Sequence, residues 1–297
     1  MSDGARLIGV DWGTSNLRVM RIARGGAVMD ARSDPRGAGG LAPDAFPGVL
    51  TDVAGDWLAE GLPVLACGMA GGRGKWREMP YQSTPVTLED LAAALGSPPG
   101  APGVSIVPGV RAMSDGRMVD VMRGEETQIM GLELDRDDDC VVAPGTHSKW
   151  ISVQAGSITD FRTFMTGELF AAIRTGTVMG AGMGEPDMDA AAFEAGVTRA
   201  LADPALTALL FSVRVESLAD RLSVESAADY LSGLLIGAEI AARLGGRMRP
   251  VTLVGAAALN RRYATALSLA GFTEVRVADG PTATARGLWR IHEAARR

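Results

Sequence analysis

The sequence predicts an α/β protein in two lobes, built by duplication of a βββαβαβ unit. Three observations predict it. Each half opens on three apolar strand patterns joined by short Gly-containing links, and links this short favour antiparallel hairpins. In each half the first strand runs into a Gly-Thr turn, Gly13-Thr14 and Gly145-Thr146. After each meander, helical periodicity alternates with single strand runs. A chain of 297 residues that is 47% hydrophobic can bury one large core or two medium ones, and cores tend to split near this length.

In the first half the strand ARLIGVD leads through the turn WGTS into NLRVMRIA, and Arg24-Gly25-Gly26 turns the chain into AVMDARS. A Gly- and Pro-rich loop, DPRGAGGLAPD, separates this meander from a helical pattern over Phe46 to Glu60. The strand PVLACGM, a Gly-rich loop, the short helix LEDLAAAL and the strand VSIVPGV complete the unit. A helix over RGEETQIMGLEL, 123–134, stands before the second copy. There CVVAPG, KWISVQA and ITDFRTFM form the meander, helices run to residue 245, PVTLVGA and EVRVAD flank a further helix, and a closing helix starts at Pro281. The expected lobes are 1–112, to which the closing helix 282–297 returns, and 113–281.

A formal net charge of −6 gives no electrostatic footprint for nucleic acid, and the short basic stretches at 243–249 and 296–297 read as solvated faces. Cys67 and Cys140 each lie in an apolar run, which suits reduced thiols in strands rather than a disulfide framework, and points to the cytoplasm. Residues 1–10 lack the basic start and apolar segment of a secretory signal, and no stretch approaches the roughly 20 apolar residues of a membrane span. His147 and His292 lie far apart and no Cys or His pair has metal-ligand spacing, so zinc is not expected. Any metal should be oxygen-bound, and Mg2+ carried in by a nucleotide fits that description. A homo-oligomer is left open.

The strongest local signal is VDWGTSN, 10–16. Asp11 ends an apolar strand, where a carboxylate is costly unless it meets hydrogen bonds or a cation such as Mg2+; stabilising its own turn is the alternative. Gly13, Thr14, Ser15 and Asn16 form a turn whose backbone N–H groups can cradle phosphate, and glycine lets the phosphate approach. APGTHSKW, 143–150, reads as the opposing turn, with Gly145, Thr146 and His147 toward phosphate and Lys149 as a charge for an anion. The two turns are expected to face a shared cleft. In RGEETQ, Glu125 and Glu126 fall in the first turn of a helix, where the dipole favours them and where a carboxylate can accept a hydroxyl proton during phosphoryl transfer. LVGAAALN, 253–260, ends a strand in Gly255, Ala256 and Ala257, with Asn260 following. These small residues leave room for a flat adenine ring, or simply for close helix packing. GMAGGRGKW, 68–76, does not match the P-loop pattern, since Trp76 stands where Ser or Thr is needed. GAGGLA, 37–42, lacks the strand and helix context of a dinucleotide fingerprint.

The pieces VDWGTSNLR, GMAGGRGKW followed by Pro80-Tyr81, VMRGEETQ, PGTHSKW, DFRTFMTGEL and SGLLIGAE occur in this order from about residue 8 to about residue 290. They resemble the 2-dehydro-3-deoxygalactonokinase family, and RGEETQ, PGTHSKW and FRTFMTGEL together are distinctive. The resemblance implies the ribonuclease H-like, actin-like ATPase fold of sugar kinases, ATP with Mg2+, and phosphorylation of 2-dehydro-3-deoxy-D-galactonate at O6 in galactonate and galactose breakdown. It also implies that the catalytic carboxylate is the one following Gly124, Glu125, with Glu126 as the alternative because the wider superfamily has Asp there. The loop at 68–76 departs from the family pattern through Gly72, Arg73 and Lys75, and two added positive charges could help hold the sugar-acid carboxylate or shift which acid is preferred. For that carboxylate the reading favours Arg162, which can bind it bidentately, with Lys149, Arg73 or Lys75 in support; an ion pair of Arg162 with Asp160 or Glu168 is the alternative. Thr166-Gly167-Glu168 would line the cleft. A kinase for another sugar or sugar acid on this fold, and a non-metabolic actin-like ATPase, are the competing readings.

Overall fold

In the computed structural model, which describes residues 4–134, 138–180, 183–186, 189–203, 205–244 and 250–297, the chain opens on the expected meander. Strands β1 (Leu7–Trp12), β2 (Leu17–Ile22) and β3 (Val28–Asp34) run antiparallel, and the β2–β3 link needs Gly25 and Gly26 at positive φ. Helix α1 (Phe46–Leu58) starts with Pro at its first turn and buries Phe46, Val49, Leu50 and Trp57. Strand β4 (Val64–Gly68) is buried along its whole length and pairs parallel with β1, placing Asp11 between Arg18 on one side and Cys67 on the other.

A two-residue strand β5 (Gln82–Ser83) comes next, then helix α2 (Leu88–Ala93), whose Thr87 and Asp90 form a capping box, then β6 (Val104–Ile106). The first sheet has the order β3-β2-β1-β4-β6. VSIVPGV is shorter as a strand than its pattern predicts. It leaves the sheet after Ile106, and Val110 opens a separate hairpin of β7 (Val110–Ser114) and β8 (Arg117–Met122) in a small sheet ordered β5-β7-β8. The hairpin turns at Asp115 and Gly116, both at positive φ. Helix α3 (Glu125–Met130) is likewise shorter than the expected 123–134: Gly124 lies outside it at φ 112°, and Gly131 ends it.

The second meander is β9 (Asp138–Ala143), β10 (Ser148–Gln154) and β11 (Ser157–Phe164), followed by helices α4 (Thr166–Gly176), α5 (Ala190–Ala202), α6 (Leu206–Leu218) and α7 (Ala227–Ala241). Strand β12 (Val251–Gly255), helix α8 (Ala257–Leu269), strand β13 (Val275–Asp279) and helix α9 (Gly280–Ala294) close the chain. The second sheet is ordered β11-β10-β9-β12-β13. Both large sheets therefore read third, second, first, then the two later strands, which is the duplication at the level of topology.

The chain divides into two compact units: Met1–Asp139 with Ile151–Phe161 and Ala278–Arg297, and Cys140–Trp150 with Arg162–Val277. In the first, Trp12, Phe46 and Trp76 form an aromatic cluster, with Phe46 and Trp76 stacked at 5.8 Å. In the second, α5 and α7 lie so close that a Cβ at Gly196, Gly233 or Gly237 would run into the facing backbone. Residues 245–249 of the basic stretch, the expected helix end at 245 and residues 1–3 of the N-terminal segment lie outside the described residues. Among the described residues no helix is long and apolar enough to cross a membrane; the Cys67 thiol is buried and Cys140 partly buried.

Candidate active site

In the first unit three backbone segments converge. A Cβ on Gly68, at the end of β4, would meet the Trp12 carbonyl at 2.6 Å, and one on Gly124 would reach Gly68 Cα at 3.4 Å. The ends of β1 and β4 and the start of α3 thus meet at two glycines held at positive φ, Gly68 at 79° and Gly124 at 112°. Asp11, Cys67, Glu125 and Glu126 come together here. Burial pushes the Asp11 carboxyl up, Arg18 opposes this, and Glu125 adds to it. Cys67 Sγ lies 4.0 Å from Asp11 Oδ1, and burial together with the Asp11 and Glu126 charges pushes the thiol well up.

The two glutamates differ in access. Glu125 is partly exposed, and its Oε2 accepts from the Arg123 backbone N–H at 3.2 Å. Glu126 is fully buried; Oε2 accepts from the Gly124 N–H at 2.6 Å and Oε1 from the Thr127 hydroxyl at 3.0 Å. Burial, reinforced by Glu125, raises the Glu126 carboxyl from 4.5 to about 7. The folded protein therefore keeps a proton that the unfolded chain releases between these values, so this group's contribution falls as pH rises from about 4.5 to about 7. The loss amounts to at most about 3 kcal/mol. Glu126→Gln is expected to flatten the decline in thermal stability between about pH 4.5 and about pH 7. Parallel melting curves for the two proteins across that range would assign the titration elsewhere.

The turn Gly13–Asn16 is held from behind. The Ala38 N–H donates to Gly13 O at 2.9 Å, the Gly39 N–H to Thr14 O at 2.8 Å, and a Cβ on Gly37 would overlap the Thr14 carbonyl. Thr14, Ser15 and Asn16 are exposed. The GAGGLA segment, unassigned from sequence, is this backing. Lys75 joins it, Nζ donating to Gly39 O at 3.1 Å, and the Trp12 indole N–H donates to Arg36 O at 3.1 Å. Arg73 is almost fully exposed, 3.6 Å from Glu78. Arg123, which opens RGEETQ and was given no role of its own from sequence, stacks on Tyr81 at 4.4 Å and donates to Met79 O at 2.9 Å, which ties the Pro80-Tyr81 segment to that motif.

In the second unit the turn Gly145–His147 follows β9. The start of α4 abuts it: the Glu168 N–H donates to Thr146 O at 3.0 Å, and a Cβ on Gly167 would lie 2.5 Å from Gly145 O. A Cβ on Gly145 itself would meet nothing within 4 Å. His147 Nε2 lies 2.6 Å from Glu168 Oε2, both half-exposed. Lys149 is buried and donates to His147 O at 3.0 Å, whereas Arg162 is exposed and Thr166 is buried at the first position of α4. Ala256 precedes α8 as its N-cap and Ala257 begins it; Gly255 sits at φ 158°, and its carbonyl accepts from Asn260 Nδ2 at 3.2 Å. Beside the turn lies a cavity of about 130 Å³, lined among others by Gly145, Phe170, Leu235, Ile236, Leu259 and Tyr263.

Sequence reasoning missed one buried group here. Glu239, on α7, accepts from Ser148 Oγ at 2.6 Å, Trp150 Nε1 at 2.7 Å, Tyr263 Oη at 2.7 Å and Thr166 Oγ1. Burial raises its carboxyl, and the four donors pull it back.

A family profile described as 2-keto-3-deoxy-galactonokinase matches residues 11–291. The chain is 40% identical over 302 residues to "Probable 2-dehydro-3-deoxygalactonokinase DgoK1" of Rhizobium meliloti (strain 1021), with 95% of this chain and 97% of the relative covered. It is 36% identical over 292 residues to 2-dehydro-3-deoxygalactonokinase of Escherichia coli (strain K12), with 98% of each covered. A solved structure from Sinorhizobium meliloti, described as a 2-dehydro-3-deoxygalactonokinase protein, superposes with a TM-score of 0.86 at 37% identity, covering 98% of both chains. The activator of 2-hydroxyisocaproyl-CoA dehydratase from Clostridium difficile superposes with a TM-score of 0.54 at 14% identity, over 97% of this chain and 95% of that one, a likeness of fold alone.

Proposed function

The chain belongs to the 2-keto-3-deoxy-galactonokinase family, and from that premise we propose that it phosphorylates 2-dehydro-3-deoxy-D-galactonate at O6 with ATP. It is an ATP-dependent carbohydrate kinase on the actin-like sugar-kinase fold. The observation that carries the mechanism is the glycine-lined junction of β1, β4 and α3, which brings the end of β1, with Asp11, to the start of α3, with Glu125.

Glu125 is the general base. Its partly exposed carboxylate accepts the O6 proton as that oxygen attacks the γ-phosphorus; the bond from phosphorus to the bridging oxygen breaks, and ADP leaves with the electron pair. Glu126, buried with both oxygens engaged, shapes the start of α3 instead. The turn of Gly13, Thr14, Ser15 and Asn16 offers backbone N–H groups to phosphate oxygens in the first unit, and the turn of Gly145, Thr146 and His147 does so in the second. The fixed carbonyls of Gly13 and Thr14 support this by preventing the turn from collapsing onto itself.

Asp11 fits Mg2+. Its carboxyl is raised by burial, a cost that a dication offsets, and Asp11 supplies a single carboxylate rather than a full cage. That donor set suits an ion held mostly by water and nucleotide oxygens, which when bound neutralises phosphate charge. The adenine ring is assigned to Gly255, Ala256, Ala257 and Asn260 at the start of α8; the cavity of about 130 Å³ beside Gly145, lined by Leu259 of the same helix, supports this. Exposed Arg162 is the residue assigned to the substrate carboxylate, with exposed Arg73, 3.6 Å from Glu78, in support, while Lys75, Lys149 and Glu168 already hold protein partners. The protein acts in the cytoplasm, and whether it assembles into a homo-oligomer does not enter this mechanism.

A coupled ADP-release assay across the galactonate- and gluconate-derived 2-keto-3-deoxy acids and neutral hexoses tests the reading. The galactonate-derived acid is expected to exceed neutral hexoses in kcat/KM by about 10³-fold or more, because a site built to pair a carboxylate is left with uncompensated charge by a neutral ligand. Preference for a neutral hexose would remove the assignment.

A further inference from the structure

We propose that Glu239 is a positioning residue for the turn Gly145–His147, whose carboxylate clamps the two segments that hold this turn and thereby sets ATP affinity. The proposal rests on the reading of that turn as a phosphate site.

Each oxygen of Glu239 serves two donors. Oε1 takes Ser148 Oγ at 2.6 Å and Trp150 Nε1 at 2.7 Å, both on β10, the strand that leaves the turn. Oε2 takes Tyr263 Oη at 2.7 Å and Thr166 Oγ1, the first residue of α4. The start of α4 in turn grips the turn directly, through the Glu168 N–H on Thr146 O at 3.0 Å and through Gly167, packed against Gly145 O. The turn is thus flanked by β10 on its chain-forward side and by α4 across from it, and both flanks end on one carboxylate.

The chemistry of that choice is informative. Glu239 is only 3% exposed and none of its four partners is a cation, so the carboxylate bears a desolvation cost that an apolar side chain on α7 would avoid. Helix-on-sheet packing here is already supplied by Ile236, Ile240 and Leu253. What a carboxylate adds is direction: four donors from three separate elements are brought to one point, which fixes where the N–H groups of the turn aim. Fixed donors matter because an error of about 1 Å in a positioned group can cost about 10²-fold in its effect.

The test measures the dissociation constant of a non-hydrolysable ATP analogue by calorimetry, alongside steady-state kinetics and melting, for Glu239→Gln, Ser148→Ala, Gly145→Ala and Leu267→Val. A Cβ at Gly145 enters open space, so Gly145→Ala obstructs a phosphate without disturbing the fold, and Leu267→Val is a core change in the same unit. Glu239→Gln and Ser148→Ala are expected to weaken the analogue about tenfold, with kcat within about threefold and KM for the sugar acid unchanged, the loss of roughly one well-placed hydrogen bond. Wild-type affinity in both variants, with Gly145→Ala impaired, would overturn the role of Glu239 and leave the turn as a phosphate site. Wild-type affinity in Gly145→Ala would overturn the phosphate reading and the proposal with it. Equal weakening in Leu267→Val at a matched drop in melting temperature would reduce Glu239 to general stability and overturn the proposal. Should Glu239→Gln fail to fold, Ser148→Ala alone decides, since it removes a single bond of 2.6 Å.

Discussion

Glu125→Gln is expected to lower kcat by about 10³-fold while leaving ATP affinity within about threefold, the range for removing a general base. Gln keeps the shape and can still accept from the Arg123 N–H, so the start of α3 is retained and only proton acceptance is lost. Glu126→Gln should cost far less. Its carboxylate has no exposed surface and both oxygens are committed to Gly124 and Thr127, so it cannot reach a substrate hydroxyl without breaking the first turn of the helix. Single-turnover kinetics with ATP prebound separates the chemical step from binding and product release. If Glu125→Gln retained more than about a tenth of wild-type kcat, the base would have to be another group, and the order of effects between the two glutamates would reverse if Glu126 were that group.

How far the sequence carried this picture depends on the range over which each feature is determined. The meanders were legible because a hairpin is decided locally: apolar runs and a Gly-Thr or Gly-Gly link suffice, and both sheets then assemble in the same order. Asp11, Glu125 and the two turns were legible as candidates for the same reason, each being a polar group at the end of an apolar element. The small β5-β7-β8 sheet was not read, although Asp115-Gly116 between RAMS and RMVDVM carries the hairpin signal and both residues adopt positive φ. Other features lay beyond local reach. The backing of the first turn by residues 37–40 depends on a backbone approach across more than twenty positions, and nothing in GAGGLA announces it. Glu239 looks like one polar residue in the apolar helix pattern SGLLIGAE, and its partners Ser148 and Thr166 stand 91 and 73 positions away. The basic residues illustrate the converse: Lys75 and Lys149 were read as charges waiting for an anion, and each has a backbone carbonyl as partner.

Gly287→Ala should show how strongly the acid pair depends on packing outside the site. Helix α3 is only six residues long, too short to hold itself, and it is held by α9. Arg290 donates to Met130 O at 2.6 Å and Arg286 pairs with Glu133 at 3.0 Å, but the close approach comes from two glycines. A Cβ on Gly131 would overlap the Ala283 carbonyl, and one on Gly287 would overlap the carbonyl of Thr127, the residue after Glu126. Because the obstructing atom is backbone and not the end of a flexible side chain, the added methyl can be accommodated only by moving α3 off α9. Overpacking of this kind costs about 1–3 kcal/mol, and a comparable fall in stability is expected on melting. The larger consequence falls on turnover: displacing Glu125 by about 1 Å relative to Asp11 is expected to reduce kcat by about 10²-fold, more than the stability loss alone would give. Gly48→Ala provides the contrast, since a Cβ there meets nothing within 4 Å and its effect should stay within about 1 kcal/mol. A Gly287→Ala protein that melts and turns over like wild type would mean that α9 does not set the position of α3, and the acid pair would then have to be held by the Gly68–Gly124 contact alone.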